Sequence, residues 1–386
     1  MMNVLSVCTN LPSEQNPLLG LFVLRRLEKM GELANVRALI PQPWFPVVRP
    51  RKINPPLKNP RIEIESSGMF YVPRIANHWN GHWMKRCVGQ WLDSQEDKVI
   101  RNAVVDAHFG YPEGVGCFQA ARERGLPVFI TIRGLEVELF NTPSRGSQLL
   151  EALCEATGVI AVSHSLKAAA IKAGVPARQI TVIPNGVDAT TYCMGDKDQA
   201  RADIGYRHAE KLIVSVGNLK PVKGHDILIR AIAEVKKQVD VRLVCVGGGV
   251  DSAWGNKLQQ LVNELGLSDR VRFAGAKAPK EVADWLRAAD LFALASRREG
   301  CCNAVLEALS SGVPVAVTDA GDNQAIVSAP NCGRVVGTED VSALGNAISE
   351  CIESNFNCNE IAASVRDSTW PAVAKNVLSV FESNVT

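Results

Sequence analysis

The residues most able to do chemistry cluster between positions 296 and 315, in Ser-Arg-Arg-Glu-Gly-Cys-Cys-Asn-Ala-Val-Leu-Glu-Ala-Leu-Ser-Ser-Gly-Val-Pro-Val. The stretch reads as the end of a strand, a turn and a helix that Asn303 caps and that Gly312 and Pro314 stop. Backbone amides of 301–304 at such a helix start attract phosphate or sugar oxygens without any special side chain. Cys301, Cys302 and Asn303 are therefore candidate phosphate- or sugar-binding positions, with Gly300 beside them. Glu299 and Glu307 bracket the turn eight residues apart, and each carboxylate can accept hydrogen bonds from two adjacent hydroxyls. One suits a hexose diol and the other a ribose diol, a layout that fits a nucleotide sugar. A second stretch, 213–235, reads as a strand, a glycine turn at Gly217 and Asn218, and a helix with apolar positions at 227, 228, 231, 232 and 235. Lys223 and Gly224 stand at the helix entry, where a point cation and an unshielded backbone can meet a diphosphate as it leaves and gains charge. The spacing matches neither a Walker loop nor, at the glycines 247–249, the dinucleotide fingerprint.

These stretches need a scaffold, and short β-branched runs alternating with helical periods supply one of the α/β class. Strands are predicted at 3–8, 36–40, 104–109, 127–132 and 158–163, then at 212–216, 241–246, 271–275, 291–295 and 314–318. The 386 residues suit two domains. Their join is placed in the polar stretch 189–210, after a turn at 184–188, and Asp-Lys-Asp at 196–198 reads as a solvated turn there. A hydrophobic content of 46 % with 21 % charged residues excludes a mainly disordered chain. The net charge of +2 creates no field that would capture nucleic acid. No apolar run is long enough to span a membrane, and the 11 cysteines include no Cys-x-x-Cys pair, which fits a reducing cytoplasm. Residues 33–92 hold nine basic residues (Arg37, Arg49, Arg51, Lys52, Lys58, Arg61, Arg74, Lys85 and Arg86) against Glu63 and Glu65, a local +7. They also hold Trp44, Trp79, Trp83 and Trp91. Cations beside tryptophans suit an anionic membrane surface, as they also suit a solvated loop over core indoles.

Several segments in order, Val-Ser-His-Ser-Leu-Lys (162–167), Val-Ile-Pro-Asn-Gly-Val-Asp (182–188), the Gly-x5-Lys-Gly turn, Val-Arg-Phe-Ala-Gly (271–275), residues 288–296 and the Glu-x7-Glu segment, make the chain resemble a retaining family 4 glycosyltransferase of GT-B fold. The resemblance covers nearly the whole length. It implies two Rossmann-like domains facing across a cleft: an N-terminal acceptor-side domain of residues 1–190 plus 368–386, and a C-terminal nucleotide-sugar-binding domain of residues 191–367. The final helix, around 368–377, would cross back onto the first. It further implies that Glu299 binds the donor sugar, Glu307 the ribose and Lys223 the diphosphate, with Gly20 in a turn near donor phosphate and His108 on the acceptor side. Two positions depart from the family. Asn218 stands where an arginine commonly follows the glycine, and Arg133, in Thr-Ile-Arg-Gly, stands where many members carry a histidine. Arg133 cannot act as a base and is read as a fixed donor, or else as an ion-pair partner of Glu136 or Glu138.

The function this implies is transfer of a hexose from a UDP-, GDP- or ADP-sugar to a glycan or lipid-linked saccharide, with retention, without a cofactor and without metal. It would occur in the cytoplasm, at the inner face of the membrane if the basic segment binds lipid. A small soluble acceptor, a nucleotide-sugar-binding subunit without transferase activity, and a GT-B epimerase are the alternatives.

Overall fold

The computed structural model describes residues 2–46, 52–72, 76–207, 209–235, 239–327 and 331–385. The chain divides into two compact units, Met1–Gly186 with Trp370–Thr386, and Val187–Thr369.

Among the described residues the first unit holds seven parallel strands: β1 (Asn3–Val7), β2 (Asn35–Trp44), β3 (Glu63–Phe70), β4 (Ala103–His108), β5 (Val128–Ile132), β6 (Gly158–Ala161) and β7 (Ile180–Val182). Their order is β3-β2-β1-β4-β5-β6-β7. The second unit holds β8 (Lys211–Val216), β9 (Val241–Val246), β10 (Val271–Gly275), β11 (Leu291–Leu294), β12 (Val315–Thr318) and β13 (Gly333–Val336), in the order β10-β9-β8-β11-β12-β13. Both orders reverse beside the first strand, at β1/β4 and at β8/β11. In doubly wound sheets the crevice beyond the carboxyl ends of such a strand pair is where ligands bind.

The central strands β1, β4, β5 and β6 and the β8 and β11 cores are buried on both faces, which their continuous apolar runs require. The three strands that the sequence reading misses, β3, β7 and β13, are all edge strands. An edge strand covers less core, so Glu-Ile-Glu-Ser-Ser-Gly-Met-Phe in β3 needs no apolar run. Helix Trp370–Val385 belongs to the first unit, where it packs Val373, Val377, Leu378 and Phe381 with Leu27 and Met30 of helix Leu21–Met30, and where the Phe381 and Phe129 rings lie 4.4 Å apart.

Two expectations about local structure are corrected. Residues 196–198 do not form a solvated turn: Asp196 caps helix Lys197–Asp203 by accepting from the Gln199 amide, and Lys197 pairs with Asp290 at 2.6 Å. Asn303 is not a helix cap. Cys302 occupies that position and Asn303 is the first residue of helix Asn303–Ser310, because the Asn303 amide turns back onto the Cys301 carbonyl at 3.0 Å.

Candidate active site

In the second unit the turn after β8 and the turn after β11 meet. Gly224 has φ of +63°, and a Cβ there would lie 1.8 Å from the Ala295 carbonyl oxygen, so only glycine lets the helix His225–Val235 start against the end of β11. Arg297 fixes the same junction. Its guanidinium takes both Asp226 oxygens at 2.9 and 2.8 Å, and its amide donates to the Val222 carbonyl at 2.8 Å.

That junction brings Lys223 onto Glu299. The ammonium lies 2.7 and 2.9 Å from the two carboxylate oxygens, and the wholly buried Ser296 donates to the nearer one at 2.5 Å. Burial alone would lower the Lys223 pKa, but Glu299 more than offsets it and the net shift is upward. Lys223 is therefore a cation, 27 % exposed, held in place before any ligand arrives. Asn218 reaches across to the turn after β9, accepting from the Gly248 amide at 3.0 Å through its Oδ1. That leaves the Asn218 Nδ2 as an uncharged donor without a partner among the described residues.

Glu307 stands apart from this cluster. Its carboxyl hydrogen-bonds with Tyr192, and desolvation pushes its pKa up to about 7 despite that bond. Cys302 is buried and its thiol is pushed well up by burial, while Cys301 is half-buried, so this pair offers ligands backbone rather than thiolate. Gly300 lies half-buried between Glu299 and the pair. The turn back to Cys301 removes the Asn303 amide from the expected set of anion donors.

In the first unit Gly20 has φ of +67°, and a Cβ there would meet the Asn10 carbonyl oxygen at 1.5 Å, so the loop after β1 can close onto the start of helix Leu21–Met30 only through glycine. His108 ends β4 and exposes none of its surface. Its Nδ1 is 3.0 Å from an Arg133 guanidinium nitrogen, while its Nε2 lies 3.1 Å from both Asp106 and Ser6. A guanidinium only donates, which assigns the proton to Nε2. Burial, with Arg26 and Arg133 close by, lowers the His108 pKa to about 4 against the pull of Asp106, so the ring is neutral at pH 7. Asp106 is itself completely buried. Burial would raise its pKa, but Arg26 at 2.7 Å and His108 hold it well below the usual range. His108 thus contacts Ser6, Asp106 and Arg133, and through its Nδ1 it orients the Arg133 guanidinium.

Arg133 makes neither of the ion pairs considered for it. Glu136 is engaged by the backbone amides of Gly110, Arg133 and Gly134 at 2.7, 3.0 and 2.8 Å. The Arg133 guanidinium runs instead between His108 and Asn185, the latter at 3.0 Å, with its carbon 5.1 Å above the Phe22 ring. Burial and Arg26 bring its pKa down to about 10, so it stays charged at pH 7. Beside this network Phe109 holds a φ of +74°, a strained backbone of the kind that collects at working sites.

Sequence reasoning missed Ser296, Arg26, Asp106 and Glu113. Glu113 is buried, accepts from both the Thr9 amide and the Thr9 hydroxyl, and has a pKa raised by burial. A charged residue inside an apolar run is the signal that could have found Asp106, in Val-Val-Asp-Ala-His; Ser296 and Glu113 carry no such signal. The turn at 184–188 has a further role, because it supplies Asn185 to Arg133.

The geometry sits with what the chain is similar to. The family model described as glycosyl transferases group 1 matches residues 196–367, and that described as glycosyltransferase family 4 matches residues 45–191. A D-inositol 3-phosphate glycosyltransferase of Catenulispora acidiphila is 30 % identical over 304 residues, covering 73 % of this chain and 72 % of its own. An N-acetyl-α-D-glucosaminyl L-malate synthase of Bacillus anthracis is 24 % identical over 284 residues, covering 72 % and 73 %. Among solved structures, Anabaena HepE in complex with UDP and glucose superposes with a TM-score of 0.75 at 20 % identity, over 99 % of this chain and all of the other, a likeness of fold alone. The two doubly wound sheets are those of the GT-B fold, and the chain belongs to the group 1, family 4 glycosyltransferases.

Proposed function

We propose that this glycosyltransferase moves a hexose, with retention, from a nucleotide sugar to a hydroxyl of a glycan or lipid-linked saccharide. The observation that carries the reading is the Lys223–Glu299–Ser296 cluster at the strand-order reversal of the second sheet. In this reading Lys223 meets the departing diphosphate, where its charge stabilises the transition state most, and Glu299 holds the hexose hydroxyls. Glu307 takes the ribose diol, while Gly217, Gly224, Asn218, Gly300 and the amides of Cys301 and Cys302 line the donor. The Gly20 turn approaches the donor phosphate, and Arg133, aimed by His108, is a fixed donor. The bond from C1 to the phosphate oxygen breaks as the acceptor oxygen bonds to C1 on the same face, and the acceptor proton passes to a donor phosphate oxygen. C1 is the electrophile and Lys223 stabilises the charge on the departing diphosphate, so the proposed step calls on no metal and no cofactor.

Thermal-shift screening against UDP-, GDP- and ADP-sugars tests the donor half, since a ligand at 100 times its dissociation constant stabilises by about 2.7 kcal/mol. No shift with any of them removes the reading. Product NMR of the anomeric proton then tests retention.

A second reading, a small anionic acceptor, is favoured by the names of the two relatives, one acting on an inositol phosphate and one making a malate conjugate. Arg133 would then bind the acceptor's anion.

The assignment to the inner membrane face belongs to the first reading. No helix among the described residues is long and apolar enough to cross a membrane. Lys52 and Lys58 are exposed, whereas Arg49, Arg51 and Arg74 lie outside the described residues. Neutralising Arg49, Arg51, Lys52 and Lys58 should lower binding to anionic vesicles at least tenfold, and unchanged binding at low salt would discard the membrane assignment.

A further inference from the structure

Two tryptophans of the first unit, Trp44 and Trp83, do not pack as ordinary core, unlike the buried Trp91 and Trp370. Trp44 and Phe70 are register partners at the last rung of the β2–β3 pair, with rings 5.3 Å apart and edge to face. Trp83, from helix Asn80–Asp93, meets Phe70 at 4.8 Å with planes 71° apart. Two indoles are thus fixed around one phenyl ring, and all three side chains remain half-buried. They line a cavity of about 560 Å3 together with Gly68, Met69, Arg86, Cys87 and Gln90, within the roughly 300–1,000 Å3 of small-molecule sites.

The polar side of this cavity comes from one helix face. Trp83, Arg86, Cys87 and Gln90 follow the spacing i, i+3, i+4, i+7. Cys87 is buried as floor, while Arg86 and Gln90 are exposed, and neither side chain has a hydrogen-bond or ion-pair partner among the described residues. A concave site with aromatic surface on one side and an amide and a guanidinium on the other matches a pyranose. Its apolar C–H face packs on an indole, and its equatorial hydroxyls accept from Arg86 or exchange hydrogen bonds with Gln90. Among the described residues one arginine lines the cavity, which suits a neutral ligand, and rings held against Phe70 are poorly placed to insert into lipid.

The position within the sheet gives the site its meaning. Trp44 and Phe70 lie at the carboxyl ends of β2 and β3, on the same sheet edge as His108 at the end of β4. At about 4.8 Å per strand β2 and β3 lie about 10 and about 14 Å to the side of β4, and Trp44 and Phe70 stand four residues, about 13 Å, beyond the rung level with His108, so they are about 16 and about 19 Å from it, roughly the span of three or four linked sugar rings. We propose that the Trp44–Phe70–Trp83 cavity binds a neutral hexose unit of the acceptor, two or three rings removed from the hydroxyl that reacts. This inference rests on the saccharide-acceptor reading and specifies it: the acceptor is an oligosaccharide, not a single small molecule.

The test titrates the 386-residue chain with neutral di- and trisaccharides of glucose, galactose, mannose and N-acetylglucosamine, in α and β linkage, reading tryptophan fluorescence and saturation-transfer NMR. At least one trisaccharide should bind saturably. Arg86→Ala/Gln90→Ala, which alters only exposed side chains, should weaken it more than tenfold, as should Trp83→Ala if it folds. Stabilisation by the nucleotide sugar should be unchanged in both variants. The proposal is overturned if nucleotide sugars stabilise the chain but no oligosaccharide binds, if binding survives the double substitution, or if the fluorescence answers anionic vesicles and not sugars. If no nucleotide sugar binds while an oligosaccharide does, the transferase reading fails and this site stands.

Discussion

Glu307 offers the sharpest test of the donor site, because its carboxyl is poised to change charge in the physiological range. Desolvation raises its pKa from an ordinary 4.5 to about 7. A carboxyl with pKa about 7 is about 9 % ionised at pH 6 and about 91 % at pH 8. If the ribose diol needs the carboxylate as acceptor, nucleotide-sugar affinity should rise up to about tenfold across that interval, about 1.4 kcal/mol. Glu307→Gln keeps the shape and removes the charge. A hydrogen bond to a charged group is worth about 1.5–3 kcal/mol and a neutral one about 0.5–1.5, so the variant should bind several-fold more weakly at pH 8 and nearly as well as the parent at pH 6. The diphosphate of a nucleotide sugar is esterified at both ends and does not titrate in this range, and His108 and His225, both near pKa 4, stay neutral throughout. Isothermal titration calorimetry at pH 6, 7 and 8 reads the effect directly. The sign for stability is the reverse. An acid whose pKa is higher folded than unfolded supports the fold fully below 4.5 and loses that support as pH rises through about 7, a loss of at most about 3 kcal/mol. The ligand-free Gln variant should therefore be the more stable protein at pH 8. Parallel pH profiles for parent and variant, in affinity and in Tm, would refute the reasoning and remove Glu307 from the site.

The remaining predictions concern the frames around the two sites. Lys223→Ala strips the partner from a carboxylate whose side chain is only 8 % exposed, so it should cost about 1–3 kcal/mol in denaturant unfolding and lower kcat more than donor affinity; equal losses would mean plain ground-state binding. Gly224→Ala places a Cβ 1.8 Å from the Ala295 carbonyl oxygen and should abolish turnover by displacing Lys223; near-parental activity would show that the turn is not rigid. Arg26→Ala leaves Asp106 buried without its cation and should cost about 3–5 kcal/mol, whereas Arg26→Ala/Asp106→Ala should cost less than Arg26→Ala alone; a larger loss in the double variant, measured by urea unfolding, would contradict the ion-pair account.

Much of the architecture was legible in the sequence, because a strand buried on both faces must be apolar throughout and a helix beside it must carry its apolar residues every three to four positions. That sufficed for the central strands of both sheets, for helix His225–Val235 with Ile227, Leu228, Ala231, Ile232 and Val235 inside, and for the position of Lys223, which a glycine turn and a helix entry fix locally. The edge strands β3, β7 and β13 escaped, since a strand with one neighbour is under weaker constraint.

What only the tertiary structure decided is which charges meet. Lys223 and Glu299 are 76 residues apart and Arg26 and Asp106 are 80 apart, and nothing local specifies either pairing. Arg133 faced two carboxylates close in sequence yet turned to His108 and Asn185, because backbone amides had already taken Glu136. The sequence therefore determined the elements and the ligand-facing turns, through periodicity and glycine. Burial and the competition for hydrogen-bond partners, which exist only once the chain is packed, decided which of those residues stay charged, which are neutral and which merely hold another in place.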